Sequence, residues 1–236
     1  MKLLLLPGMD GGGDLFASFL ELLPNWLSPV IVRYPSDRPL AYPQLFDLIL
    51  EACPKSSDFV ALAESFSGPL AILLGAKAPT GLKGIILCAS FDRCPLSAPW
   101  RWLLAMTPTM AIRWTPDWAL RWALLGPYAD DRLARQLAEA VARVQPATLA
   151  ARARAIARVD VSEELRNCRV PICYLAADGD RLIGNRSVAS ILGVRPDVVV
   201  IRLPGSHLLL QTSPEASLRA VLGFIQQATG VTRSEG

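Results

Sequence analysis

Ala63-Glu64-Ser65-Phe66-Ser67-Gly68 sits between an apolar run, Phe59-Val60-Ala61-Leu62, and Pro69-Leu70-Ala71-Ile72-Leu73-Leu74, with no residues left over for a loop. The first run reads as a buried strand and the second as the start of a helix. A serine flanked by small residues two positions before and two after is what a sharp strand-to-helix turn requires. The serine must adopt a sparsely populated backbone conformation, and a larger neighbour at either small position clashes. Such a turn raises the hydroxyl above the sheet edge, beside a helix N-terminus and the N–H of Phe66. Short Ser/Gly stretches also form ordinary turns, so the meaning of Ser65 depends on what the rest of the chain brings to the same edge.

Short apolar stretches recur along the chain: Lys2–Leu6, Val30–Arg33, Phe59–Ala63, Gly84–Cys88, Pro171–Ala176 and Val198–Leu203. None alternates with polar residues, which is the pattern of strands covered on both faces. Helical stretches fall between them at Leu15–Leu23, Tyr42–Ala52, Pro69–Ala78, Arg186–Leu192 and Pro214–Ala228. Alternation of this kind predicts about six mostly parallel strands joined by right-handed crossovers, with ligands beyond the carboxyl ends of the strands. The alternation breaks once, after the fourth strand. Residues 92–169 carry only helical segments, near 98–105, 117–125, 129–144 and 146–158. We read 1–91 and 170–230 as the α/β core, 92–169 as a helical cap over the edge where Ser65 emerges, and 231–236 as a frayed tail.

The chain's 236 residues, 52% of them hydrophobic, describe a packed globular protein. A net charge of +3 does not argue for nucleic acid. The cysteines, Cys53, Cys88, Cys94, Cys168 and Cys173, lack zinc-finger or CxxC spacing and read as reduced structural thiols. Met1-Lys2-Leu3-Leu4-Leu5-Leu6 is too short for an export segment, and no run approaches the roughly 18 apolar residues of a membrane span. The expectation is a soluble cytoplasmic protein.

His207, the one histidine, follows the last strand in Leu203-Pro204-Gly205-Ser206-His207. A serine is a weak nucleophile near neutral pH unless a base takes its proton, and imidazole suits that pH. The base needs a carboxylate on its other ring nitrogen. Asp178 and Asp180 follow the fifth strand, and Asp92 follows the fourth. Asp180 is favoured because Arg181-Leu182-Ile183 anchors its loop. The first strand runs into Pro7-Gly8-Met9-Asp10-Gly11-Gly12-Gly13, which lacks the GxGxxG and GxxxxGK[ST] phosphate patterns. The N–H groups of Met9 and Phe66 are instead read as an oxyanion hole.

On these residues the chain resembles the α/β-hydrolase superfamily over nearly its full length. The order Ser, acid, His is that family's order. Leu203 to Gln211 resembles its histidine loop, Pro171 to Ile183 its acid loop with Asp180 as the triad member, and Leu6 to Gly11 an oxyanion loop with proline where many members have histidine. The chain departs in lacking two strands before the first, and in having Ala63 and Ser67 for glycines at the elbow. The small size and helical cap resemble carboxylesterases and pimeloyl-carrier-protein methyl ester esterases. The resemblance implies a carboxylesterase-type hydrolase (class 3.1.1) with Ser65, His207 and Asp180 catalytic, acting on a small-molecule ester without metal or cofactor. A thioesterase, an acyltransferase, or a hydrolase-fold binding protein with little turnover are its alternatives.

Trp114, Trp118 and Trp122 repeat every four residues and share one helix face. That face serves either as the cap's own core or as a lining for an acyl chain. Arg132, Arg135, Arg143, Arg152, Arg154 and Arg158 make the later cap helices basic. They read as a solvated face, or as a docking face for an acyl-carrier domain or an anionic lipid surface.

Overall fold

A computed structural model of the chain describes residues 1–109 and 116–230. Trp114 and the tail 231–236 lie outside the described residues. Six strands, β1 (Lys2–Leu6), β2 (Ser28–Ile31), β3 (Phe59–Glu64), β4 (Leu82–Cys88), β5 (Ile172–Ala177) and β6 (Val199–Leu203), form one sheet in the order β2-β1-β3-β4-β5-β6. Every pairing is parallel. β3 and β4 are therefore central, and β3 is buried at all its positions.

Side chains point alternately to opposite faces of a strand, and the core divides accordingly. Leu4, Leu6, Ala61, Ala63, Ile85 and Leu87 join one cluster with the helices Tyr42–Ala52, Gly68–Lys77 and Gly184–Val194. Leu3, Leu5, Val60, Leu62, Ile86 and Cys88 join the other, beneath Phe16, Phe19 and the helix Pro214–Thr229. Each fully buried aliphatic or aromatic side chain contributes about 1.5–3 kcal/mol. Coverage on both faces is thus why the strands are continuous apolar runs.

Two elements depart most from expectation. β2 starts at Ser28 and includes Pro29, which an edge strand tolerates because its missing N–H faces outward. The expected helix Leu15–Leu23 reduces to a 3-10 turn, Asp14–Phe16, and one helical turn, Ala17–Leu20, ahead of Pro24.

The insertion after β4 is helical throughout its described part, apart from a single bridge between Arg93 and Asp160. Its helices are Ala98–Ala105, Asp117–Leu120, Asp131–Ala142, Pro146–Arg158 and Ser162–Arg166. Asp117–Leu120 runs on as a wider π-type turn, Arg121–Leu125, ended by Gly126-Pro127. Asp130 caps Asp131–Ala142, its carboxylate accepting from the Leu133 N–H at 2.6 Å. Among the described residues no helix is long and apolar enough to cross a membrane.

Candidate active site

Ser65 has φ 49°, a left-handed value that a non-glycine residue adopts under strain. Its neighbours explain how the turn is held. Ser90 Oγ donates to the Ser65 carbonyl at 2.6 Å, and a Cβ at position 68 would lie 1.7 Å from that same Oγ. Glycine is therefore obligatory at 68. At 67, one residue earlier, the hydroxyl has work of its own: Ser67 Oγ donates to the Pro7 carbonyl and lies 2.7 Å from the Tyr34 hydroxyl. The serine that departs from the family pattern is thus a tie between the elbow and the loop after β1. Phe66 stacks on Tyr42 at 4.8 Å between ring centroids, and the Tyr42 hydroxyl donates to the Phe66 carbonyl at 3.0 Å.

Three side chains from separate strand ends converge. His207 Nε2 lies 2.7 Å from Ser65 Oγ, and His207 Nδ1 lies 3.0 Å from Asp180 Oδ2. Both the imidazole and the carboxylate are almost fully buried, 2% and 5% exposed. The second carboxylate oxygen, Oδ1, accepts from the backbone N–H groups of Leu182 (2.8 Å) and Ile183 (3.0 Å). Burial pushes the Asp180 pKa up, but the His207 hydrogen bond, its charge and these two N–H groups outweigh it, and the net shift is downward. An ionised Asp180 accepts the Nδ1 proton, which leaves Nε2 free to accept from the Ser65 hydroxyl.

The acid and histidine loops are joined by backbone. Asp178 N–H donates to the Leu203 carbonyl at 3.0 Å, and Gly179 N–H to the Gly205 carbonyl at 2.9 Å. A Cβ at 179 would stand 2.7 Å from that carbonyl oxygen. Gly179 is thus needed for close approach as well as for a turn. Asp178 is exposed, and His207 Nδ1 pairs with Asp180. Asp92 is fully buried; its Oδ2 accepts from Ser162 (3.1 Å), Ser190 (3.0 Å) and Arg93 (3.2 Å), while its Oδ1 has no partner and His207 pairs with Asp180.

Ser65 and His207 open into a cavity of about 530 Å³. Gly8, Met9 and Asp10 form one side, next to Ser65. The helical insertion supplies most of the remainder through side chains such as Leu120, Leu124, Leu137, Val141 and Leu149. Among the described residues, no tryptophan lines it. Trp118 and Trp122 are 71% and 60% exposed, and the four-residue spacing turns them both outward. The Trp122 ring instead carries the Arg181 guanidinium at 4.9 Å, linking the insertion to the acid loop. Trp118 and Trp122, read from sequence as either the cap's core or an acyl-chain lining, are thus neither buried nor part of this wall, which leucines and valines largely form.

The basic face needs correction too. Arg152 is 1% exposed and bonds to the loop after β1. Leu149, Ala153 and Ile156 line the cavity from the same helix, and their helical spacing carries Arg152 on that inward face. That spacing is the signal in the sequence. Tyr34 and Ser90 offered none, because their partners are brought close only by the fold. Among the described residues, no three His, Cys, Asp or Glu side chains converge as metal ligands.

No protein-family model matches the chain, and no curated protein matches it at a significant level. Solved structures do. A hydrolase from Oleispira antarctica superposes with TM-score 0.82 at 13% identity, over 95% of this chain and 90% of that one. A thermophilic esterase from Thermogutta terrifontis gives 0.77 at 17%, over 97% and 90%. A bromoperoxidase from Bacillus anthracis gives 0.79 at 11%, over 95% and 91%. The chain has the α/β-hydrolase fold. Neighbours this diverse carry several activities on that one fold, so the reaction must be argued from the site.

Proposed function

We propose that this protein is a serine hydrolase that cleaves carboxylic esters of apolar acyl groups. The observation that carries the reading is the chain of contacts Ser65 Oγ, His207 Nε2, His207 Nδ1, Asp180 Oδ2, at 2.7 and 3.0 Å, opening into an apolar cavity. Ser65 Oγ attacks the ester carbonyl while His207 Nε2 takes its proton, and Asp180 orients the imidazole and stabilises its charge. The N–H groups of Met9 and Phe66 hold the oxyanion of the tetrahedral intermediate. Collapse breaks the C–O bond, and His207 returns the proton to the departing alcohol. A water molecule, deprotonated by the same imidazole, then releases the acid and restores Ser65. The helical insertion acts as a cap whose aliphatic wall receives the acyl chain.

A fluorophosphonate followed by peptide mass spectrometry tests the nucleophile. The expected adduct is on Ser65, with Ser65→Ala unlabelled and inactive on p-nitrophenyl esters. Folded protein that stays unlabelled at Ser65 overturns the mechanism. Stoichiometric acylation without steady-state turnover points instead to a binding protein on this fold.

A further inference from the structure

Arg152 is a buried cation held by carbonyl oxygens. From the helix Pro146–Arg158 its Nη1 donates to the Met9 carbonyl at 2.7 Å and to the Asp10 carbonyl at 3.1 Å. Its Nη2 donates to the Pro35 carbonyl at 2.9 Å, and its Cζ stands 5.8 Å from the centroid of the Tyr34 ring. Its Nε has no partner. Taking a guanidinium out of water costs several kcal/mol. Neutral carbonyls offset that less well than a carboxylate would, and burial lowers the Arg152 pKa.

Two of the carbonyls Arg152 holds, those of Met9 and Asp10, belong to one tight turn. Gly11 N–H donates to the Gly8 carbonyl at 3.1 Å, closing Gly8-Met9-Asp10-Gly11. Gly11 has φ 71°, and a Cβ there would lie 2.8 Å from Arg152 Nη1 and 2.9 Å from Tyr34 Cβ. The glycine therefore admits the guanidinium as well as the positive φ. With the Gly8 carbonyl held by Gly11 and the Met9 and Asp10 carbonyls held by Arg152, every peptide plane on either side of Met9 is fixed. One of those planes carries the Met9 N–H.

We propose that Arg152 is a positioning residue that holds the Gly8–Gly11 turn so that the Met9 N–H faces the developing oxyanion, making the helical insertion part of the catalytic apparatus. The inference rests on reading Met9 as an oxyanion donor. It has a mechanical corollary: the helix Pro146–Arg158 cannot lift away from the core without breaking two hydrogen bonds to that turn and a third to the Pro35 carbonyl. Substrate entry by an opening of the insertion must therefore move its other helices.

The test compares Arg152→Gln and Arg152→Lys with wild type and with Arg158→Gln, an exposed neighbour on the same helix. Circular dichroism and thermal melts establish that each is folded at the assay temperature. The readouts are kcat and KM on a p-nitrophenyl ester, and the inhibition constant of a trifluoromethyl ketone, which adds to serine and generates an oxyanion. Misplacing a donor by about 1 Å costs up to about 10²-fold. Arg152→Gln is expected to lose about 10- to 100-fold in kcat with KM within about threefold. Ketone affinity should fall in parallel, Arg152→Lys should be intermediate, and Arg158→Gln unchanged. If Arg152→Gln does not fold, Arg152→Lys carries the comparison with wild type and Arg158→Gln, and the same parallel loss of kcat and ketone affinity is expected of it.

A folded variant whose kcat and ketone affinity both match wild type overturns the proposal. Fluorophosphonate labelling of the wild type separates this from failure of the hydrolase reading. A wild type unlabelled at Ser65 removes both, whereas a labelled wild type indifferent to Arg152 removes only the positioning role.

Discussion

Gln211 Nε2 donates to Oε2 of Glu64 at 3.4 Å, and Glu64, the residue before Ser65, is 1% exposed. Burial pushes the Glu64 carboxyl from an ordinary 4.5 up to about 8; the charge of Asp10 adds to this and the Gln211 bond subtracts. Between those two values the native protein keeps a proton that the unfolded chain has released. Stability from this group is therefore complete below about 4.5 and is lost as pH rises toward 8, at a slope approaching about 1.4 kcal/mol per pH unit. Glu64→Gln should flatten that part of the profile. Urea denaturation from pH 5 to 9 measures it, and parallel wild-type and variant slopes would refute it.

Asp180 and Asp92 should respond differently to the same change. Asp180→Asn removes the acceptor that sets the His207 tautomer, and kcat should fall by about 10⁴ with the fold intact. Asp92→Asn disturbs only the bonds from Ser162, Ser190 and Arg93. It should lower stability by about 1–3 kcal/mol while kcat in the folded fraction stays within about threefold. Reversed outcomes would move the acid to the loop after β4.

Ser67 bridges the elbow to the Pro7 carbonyl and to Tyr34 while fully buried. Ser67→Ala leaves that carbonyl unpaired, at a cost of about 1–3 kcal/mol. Because Pro7 leads into the Gly8–Gly11 turn, kcat should fall with it. Thermal melts and ester kinetics check both, and a variant with unchanged melting temperature and rate removes the tie from the account.

The acyl-chain wall makes a prediction about length. Leu137→Trp, at 4% exposure and facing the cavity, should shorten the preferred acyl chain in a p-nitrophenyl ester series. Trp118→Ala should leave the optimum where it was. Trp122→Ala should cost about 0.5–1 kcal/mol of stability through the lost Arg181 contact. An optimum that follows Trp118 and ignores Leu137 would restore the tryptophans to the pocket.

The strand and helix order was legible because each central strand is buried on both faces and so is written as an unbroken apolar run. The helical insertion was legible from the gap in that rhythm. Ser65 could be singled out because the strained turn allows only small neighbours, and the carboxyl ends of parallel strands told where His207 and an aspartate had to be sought. Among Asp92, Asp178 and Asp180 the local pattern favoured one without excluding the others. The fold distinguishes them by which carboxylate meets His207 Nδ1, and that is Asp180.

Periodicity fails where contacts join residues far apart in the chain. The spacing of Trp118 and Trp122 gives a common face, but not which way that face turns, since rotation of a helix is decided by the surfaces it meets. Likewise the helical spacing around Arg152 marks an inward face, but nothing in the sequence pairs it with Gly11, most of the chain away. Local chemistry therefore determined the elements, the elbow and the rim where reactive groups gather. Only tertiary packing decided which polar side chains would be desolvated against which carbonyls, because the cost of burying a charge depends on every group that surrounds it.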